Sequence, residues 1–452
     1  MSNSTLQQLQ AGELTSAFRF SQHQDPITRL QITAHLTELP KEVFDLADCL
    51  EVLDLSNNQL TNLPDELDTL VNMRILFLSN NNFDHIPAVL ARCPKLEMIS
   101  FKSNSVISIA EDVLPIDTRW LILTDNKIKA LPDSIGKLHR LQKLALAGNR
   151  LTDLPASMAQ CTSLELARLS ANQLTAMPDW LFQLPKLSWL AFSGNTFNRA
   201  SNTTISSVID VQLADIELGE LLGEGASGLI YRGDWIVRPK SLIDTDNHVA
   251  VKVFKGDVTS DGYPQDELDC CLTAGEQENL IKVIAQLDQT DTDKKLGLVM
   301  ELIPSNFYNL GLPPTLKTCT RDTFNEGTFY DAEKIIKIAK QMANAMTHLH
   351  ARGVSHGDAY AHNVMINNDA DMLFGDFGAA TNLMTLPKAQ QEAMERIEVR
   401  AFGCLLDDLL SLCSEVELKE NKDLFGLINL KEKCMSHKPS VRPCFVDIQA
   451  TL

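Results

Sequence analysis

Seven asparagines, Asn58, Asn81, Asn104, Asn126, Asn149, Asn172 and Asn195, recur with a step of 23 residues, shortened once to 22 between Asn104 and Asn126. Around each stands the frame L-x-x-L-x-L-x-x-N-x-L, cleanest at Leu141, Leu144, Leu146, Asn149 and Leu151. So regular a period leaves few folds open. Alternating leucines point inward from a short strand, so each unit exposes an apolar edge that only the next unit can cover. The asparagine amide satisfies backbone groups where the chain turns off the strand. An apolar–proline step then starts the return path, as at Leu63-Pro64, Ile86-Pro87, Leu131-Pro132, Leu154-Pro155 and Met177-Pro178.

This frame resembles the leucine-rich repeat, which implies an α/β solenoid. A degenerate unit from Leu30 to Pro40 joins the segment from Leu6 to Phe20 as an N-terminal cap, with Leu6, Leu9, Leu14 and Phe18 expected on one helical face. Residues between the framework leucines face the concave side. Stacked by phase, Phe77, Met98, Trp120, Ile122, Leu166 and Trp189 form an apolar strip on a surface expected to meet water. Three readings stay open: mutual cover along the inner sheet, a docking face for a protein or peptide partner, or a seat for the second half of this chain. The expected organisation is a repeat domain over residues 1–199, a linker over 200–210 and a second domain over 211–452, because the polar run Ala200 to Ser207 lacks the frame.

A chain of 452 residues suits two or three domains. Its net charge of -19 counts against broad nucleic-acid binding and against an anionic membrane surface. No window approaches 18 uninterrupted apolar residues, and the first ten residues have no basic or apolar signal region. The ten cysteines show no CxxC spacing and read as reduced thiols, Cys93 and Cys161 as small buried fillers. A soluble cytoplasmic protein is the expectation.

The second half carries five short motifs in order: Gly223-Glu-Gly225-Ala-Ser-Gly228, Val249-Ala250-Val251-Lys252, His356-Gly357-Asp358, Asn363, and Asp376-Phe377-Gly378. The glycine loop lets backbone N–H groups close over phosphates, and a side chain at Gly223, Gly225 or Gly228 is expected to block that approach. Lys252 lies on an alternating strand, so its ammonium points to one face. From about Asp215 to Leu452 this order and spacing resemble the eukaryotic-like protein kinase of the serine/threonine type, a bilobal α+β fold.

That resemblance implies an ATP site lined by Leu222, Gly223, Gly225, Gly228, Ile230, Ala250 and Lys252, with the backbone of Glu301 and Ile303 at the adenine edge and Met300 guarding the pocket. Glu267 would fix Lys252, Asp358 would accept the proton of the acceptor hydroxyl, and Asn363 and Asp376 would hold Mg²⁺. Protein partners or substrates would be chosen by the repeats. Two departures stand out. Gly357 replaces an arginine that answers a phosphorylated loop, and Tyr360 replaces the lysine that neutralises the moving phosphate. His362 is a partial substitute for that charge. Arg442 matches a late kinase arginine whose carboxylate partner would be Glu392 or Glu395, and Glu398 falls near the start of the large C-lobe helix. A weakly active interaction protein and a small-molecule kinase therefore stay open as alternatives.

Overall fold

The computed structural model describes residues 2–198, 208–225, 227–243, 245–255, 258–259, 261–288 and 296–452, so the polar run expected as a linker lies outside the described residues. Short helices α1 (Ser2–Gln10) and α2 (Ser16–Ser21) open the chain. The single apolar face expected there is not formed. Gly12, at φ +74°, turns the chain between the helices, so Leu9 and Leu14 are buried while Phe18 is exposed.

Eight three-residue strands follow: β1 (Arg29–Gln31), β2 (Val52–Asp54), β3 (Ile75–Phe77), β4 (Met98–Ser100), β5 (Trp120–Ile122), β6 (Lys143–Ala145), β7 (Leu166–Arg168) and β8 (Trp189–Ala191), in sequential order in one sheet. Each register steps by one repeat, as Leu53 against Leu76 and Leu121 against Leu144. The central residue of every strand is buried, and with the framework leucines it forms the spine of the array. The return path is built of 3₁₀ turns rather than α-helices, six of them entered from a proline: Pro40, Pro64, Pro87, Pro132, Pro155 and Pro178.

The asparagines account for the buried backbone between units. Asn149 Nδ2 donates to Leu123 O at 2.8 Å and Leu146 O at 3.0 Å, and its Oδ1 accepts from Ile128 N at 3.1 Å. Asn81 and Asn126 repeat the pattern. The residue before each asparagine is left-handed in turn, from Asn57 and Asn80 to Gly148, Ala171 and Gly194. The concave strip is less exposed than expected: Met98, Leu166 and Trp189 are buried, and Phe77, Trp120 and Ile122 are half-buried.

By compactness the chain divides into one unit of 1–167 with 172–184 and a second of 168–171 with 185–452. The second unit thus takes in Arg168 to Ala171 and the last repeat. It contains a six-stranded sheet ordered β10-β11-β12-β14-β13-β9, made of β9 (Ile209–Val211), β10 (Ile216–Glu224), β11 (Gly228–Trp235), β12 (His248–Phe254), β13 (Val283–Leu287) and β14 (Gly297–Glu301). Helix α3 (Pro264–Ala274) carries Pro264 at its first turn and stops at Gly275, φ +63°. Strand β15 (Tyr308–Asn309) precedes the long helix α4 (Ala332–Ala351). Next come β16 (Val354–Ser355), β17 (Val364–Ile366), β18 (Met372–Phe374) and β19 (Thr381–Asn382), then α5 (Lys388–Ser411), α6 (Glu415–Glu420), α7 (Lys422–Cys434) and α8 (Phe445–Thr451).

Helix α4 buries Ile335, Ile338, Met342, Met346 and Leu349, which helical spacing places in one stripe. Helix α5 begins earlier than expected, at Lys388, so Glu398 sits inside it rather than near its start. Among the described residues no helix is long and apolar enough to cross a membrane.

Replacing Asn149 by alanine strands two carbonyls and one N–H between repeats. The expected loss is about 2–4 kcal/mol in urea unfolding, and Asn149→Asp should cost as much, because a carboxylate cannot donate.

Candidate functional site

Strand alternation on β12 builds one wall of the site. Val249 and Val251 point into an apolar core with Val211, Ile216, Trp235, Ile284 and Val299. Ala250 and Lys252 therefore face the other way, into a cavity of about 580 Å³. Register places Ile230 opposite Lys252 and Ala250 opposite Met300, so three strands contribute to one surface. Leu222, Gly223, Gly225, Gly228, Ile230, Ala250, Lys252, Glu267, Met300, Glu301, Ile303, Asn363 and Asp376 all line this cavity.

The glycines differ in their reasons. A Cβ on Gly228 would meet Val253 O at 2.7 Å, whereas one on Gly223 or Gly225 would meet nothing within 4 Å. Only Gly228 is required by the protein's own packing. At Gly223 and Gly225 the space belongs to the cavity, and the expected steric block there would come from a bound ligand.

Lys252 Nζ pairs with Glu267 on α3 and lies 4.0 Å from Asp376 Oδ1. Burial works against the ammonium, but Glu267 and then Asp376 outweigh it and hold its pKa above the ordinary value. Removing either member of such a pair would leave a buried charge unanswered.

A hairpin and a turn deliver the remaining groups. After α4 the chain turns at Gly353, φ +71°, and β16 pairs antiparallel with β19, fixing the stretch between them. Asn363 precedes β17 and donates through Nδ2 to Asp358 O and Asp358 Oδ2, both at 3.0 Å. Asp376 follows β18 in a left-handed conformation, φ +60°, with its side chain 55% exposed and Oδ1 accepting from Gly378 N. Asp358 is not among the residues lining the cavity; it sits behind Asn363.

His356 is fully buried, stacked on Phe374 at 4.0 Å and tilted against Phe377 at 5.0 Å. Its Nε2 donates to Gly375 O at 2.9 Å, while Nδ1 has no partner among the described residues. Burial lowers its pKa, and protonating Nδ1 would create a donor with no acceptor. Glu398 accepts from Gly357 N and pairs with His350 at 2.6 Å, so it anchors the loop from within α5.

Two side chains have partners other than those expected. His362 is taken by Asp322 at 2.7 Å: burial lowers its pKa, but this hydrogen bond outweighs that and raises it. Arg442 meets neither Glu392 nor Glu395 and donates to the carbonyls of Ser436, Arg396 and Pro185. Burial, together with nearby Arg400, pulls its pKa down to about 10. Glu395 instead accepts from Phe445 N at the start of α8.

One participant carried no expected role. Arg168 is the one cation in a concave file that otherwise reads Asp54, Phe77, Ser100, Ile122, Ala145 and Ala191. Its Nη2 pairs with Asp358, and its Nε pairs with Asp261 at 2.7 Å. A lone cation in an apolar and small-residue file was the available signal.

Residues 216–416 match the family described as protein tyrosine and serine/threonine kinase. The leucine rich repeat family matches over 28–83, 49–106, 117–174 and 139–197. The chain is a leucine-rich repeat array joined to a protein kinase domain. It is similar to fibroblast growth factor receptor 1 of Pleurodeles waltl, 25% identical over 207 residues, which are 44% of this chain and 25% of that protein. It is also similar to kinase suppressor of Ras 2 of Homo sapiens, 27% identical over 211 residues, covering 46% and 20%. The chain thus spans a quarter or less of the length of these relatives. A solved leucine-rich repeat protein of Leptospira interrogans aligns with 37% of this chain and 49% of its own, at 29% identity and a TM-score of 0.32.

The neutral state of His356 gives the kinase domain a pH dependence. Its folded pKa lies below the unfolded value of about 6.5, so its contribution is complete above that pH and lost as pH falls through it. Melting temperatures from pH 8 to pH 5 should therefore fall more steeply for the parent than for His356→Phe.

Proposed function

We propose that this chain is an ATP- and Mg²⁺-dependent protein kinase that transfers phosphate to serine or threonine hydroxyls, with partners selected by the repeats. The observation that carries this reading is the convergence of the Lys252–Glu267 pair, the glycine loop, Asn363 and Asp376 on one cavity. A nucleotide triphosphate is the ligand whose parts these groups match.

The fit is chemical as well as geometric. The space over Gly223 and Gly225 leaves backbone amides free to approach phosphates. Asn363 and the half-exposed Asp376 supply one amide and one carboxylate, which suits Mg²⁺, a cation that takes much of its coordination from phosphates and water. Among the described residues no cluster of three His, Cys, Asp or Glu side chains forms a self-contained metal site, so a bound cation here leans on the nucleotide. Bound Mg²⁺ would offset phosphate charge.

Lys252, fixed by Glu267, orients the phosphates nearest the glycine loop. Glu301 and Ile303 present backbone to the adenine edge, with Ile230 and Ala250 above the ring and Leu222 at the rim. Asp358 accepts the proton of the acceptor hydroxyl as the new O–P bond forms and the bond to the leaving diphosphate oxygen breaks. Transfer to serine or threonine is preferred over tyrosine, because tyrosine-type loops carry an arginine where His362 stands, and His362 is committed to Asp322. On the repeats, the half-buried Phe77, Trp120 and Ile122 are the docking positions left to a protein partner once Met98, Leu166 and Trp189 are counted as buried. Domain limits of 1–199 and 211–452 are part of this proposal.

Labelled ATP with Mg²⁺ and a generic acceptor protein tests it. Asp358→Asn should lower label incorporation about 10²–10⁴-fold while retaining ATP binding, and phosphoamino-acid analysis should return phosphoserine or phosphothreonine. Equal incorporation by the variant removes Asp358 as the base. Label on small aminoalcohols but on no protein would replace the reading by a small-molecule kinase.

A further inference from the structure

The one cationic side chain that the catalytic loop itself brings to the cavity, His362, is not free to meet phosphate. Position 360 is a tyrosine whose ring is buried, and His362 is committed to Asp322. A carboxylate placed beside a polyanionic donor needs a compensating charge, or its own field opposes the transfer. Within the second compact unit, that charge comes from far back in the chain.

Arg168, on β7, has a side chain only 7% exposed. Its Nη2 pairs with Asp358 Oδ1, its Nη1 donates to Gly357 O at 3.2 Å, and its Nε donates to Asp261 Oδ1 at 2.7 Å. Asp261 lies three residues ahead of α3, the helix that carries Glu267. One guanidinium thus ties the catalytic loop to the approach of the helix that fixes Lys252. Burial opposes the charge on Arg168, but Asp358 and Asp261 outweigh it and keep its pKa above the ordinary value.

The surrounding contacts are those of a permanent assembly. Trp189 stacks on Tyr360 with ring centroids 4.3 Å apart and planes 7° from parallel, and its indole N–H donates to Ala359 O at 3.3 Å. Tyr360, in the place of the missing cation, is thus the surface on which the last repeat is seated. A Cβ on Gly357 would run into Ala379 O and lie 3.1 Å from Leu190 O, so no side chain fits there. Arg400 and Arg442 donate to the carbonyls of Lys186 and Pro185. A latch that opens in each cycle would strip the polar partners from all these buried groups.

We infer that Arg168 is a positioning residue of the phosphoryl-transfer site, a cation supplied by the repeats that orients Asp358 and offsets its charge in place of the one absent at Tyr360. The inference rests on the kinase reading above. It makes Arg168 and the last repeat strand part of the catalytic unit as well as of the binding array.

The test uses the full chain with Mg-ATP and an acceptor protein. Arg168→Ala should lower kcat about 10²-fold with KM for ATP changed less than about threefold. Arg168→Lys should recover part of the loss, and millimolar guanidinium should restore activity saturably to Arg168→Ala but leave the parent unchanged. A purely structural arginine would not be rescued in this way. Equal or faster turnover by Arg168→Ala overturns the inference, and a faster rate identifies the contact as a brake. If the parent transfers no phosphate to any acceptor, the kinase reading fails separately. Hydrogen exchange then decides the positioning role: faster exchange at residues 357–363 and 261–267 in Arg168→Ala supports it, and unchanged exchange overturns it.

Discussion

Charge removed from water must find a partner, and this requirement organises the second unit of the molecule. Lys252 is buried because strand alternation sends it into the cavity, so α3 must bring Glu267 within reach. Arg168 is buried between two carboxylates, and Glu398 between a backbone N–H and an imidazole. His356 solves the same problem differently by staying neutral. Each solution fixes two chain segments relative to each other. Together they hold loop, helix and hairpin round the cavity more firmly than apolar packing, which lacks direction, can do alone.

The repeats follow a neutral version of the same rule. Their buried polar groups are backbone amides and carbonyls between strands too short to pair fully. The asparagine amide, with two donors and one acceptor, answers three of them at once. This is why one residue type recurs where leucines vary freely with isoleucine, methionine or phenylalanine. No ionised group could replace it, because a carboxylate offers only acceptors and an ammonium only donors.

Much of this was legible in the sequence, because period and alternation are local properties. The repeat frame, the concave files, the inward face of β12 and the stripe on α4 all follow from spacing alone. Lys252, Glu267, Asn363 and Asp376 were legible as a set because their order along the chain echoes a known fold. What stayed hidden depends on distance between segments. The partners of Arg442 are carbonyls, which sequence does not distinguish from one residue to the next. The pairing of Arg168 with Asp358 joins positions 190 residues apart. The split of the cap into α1 and α2 turned on one left-handed glycine inside an otherwise helical pattern.

The place of Arg168 and the last repeat in the second compact unit has an evolutionary consequence. Solenoids grow and shrink by duplicating or losing whole repeats, since each contacts only its neighbours. Here the array is not uniform in that respect. Units upstream of Arg168 follow that rule and can be gained or lost in multiples of the period. The positions of Arg168 and of the last strand cannot change in this way, because Arg168 and Trp189 must keep their places beside Asp358 and Tyr360. Among related chains, repeat number should therefore vary toward the N-terminus and stay fixed at this end, and the border between interchangeable and committed repeats falls inside the array.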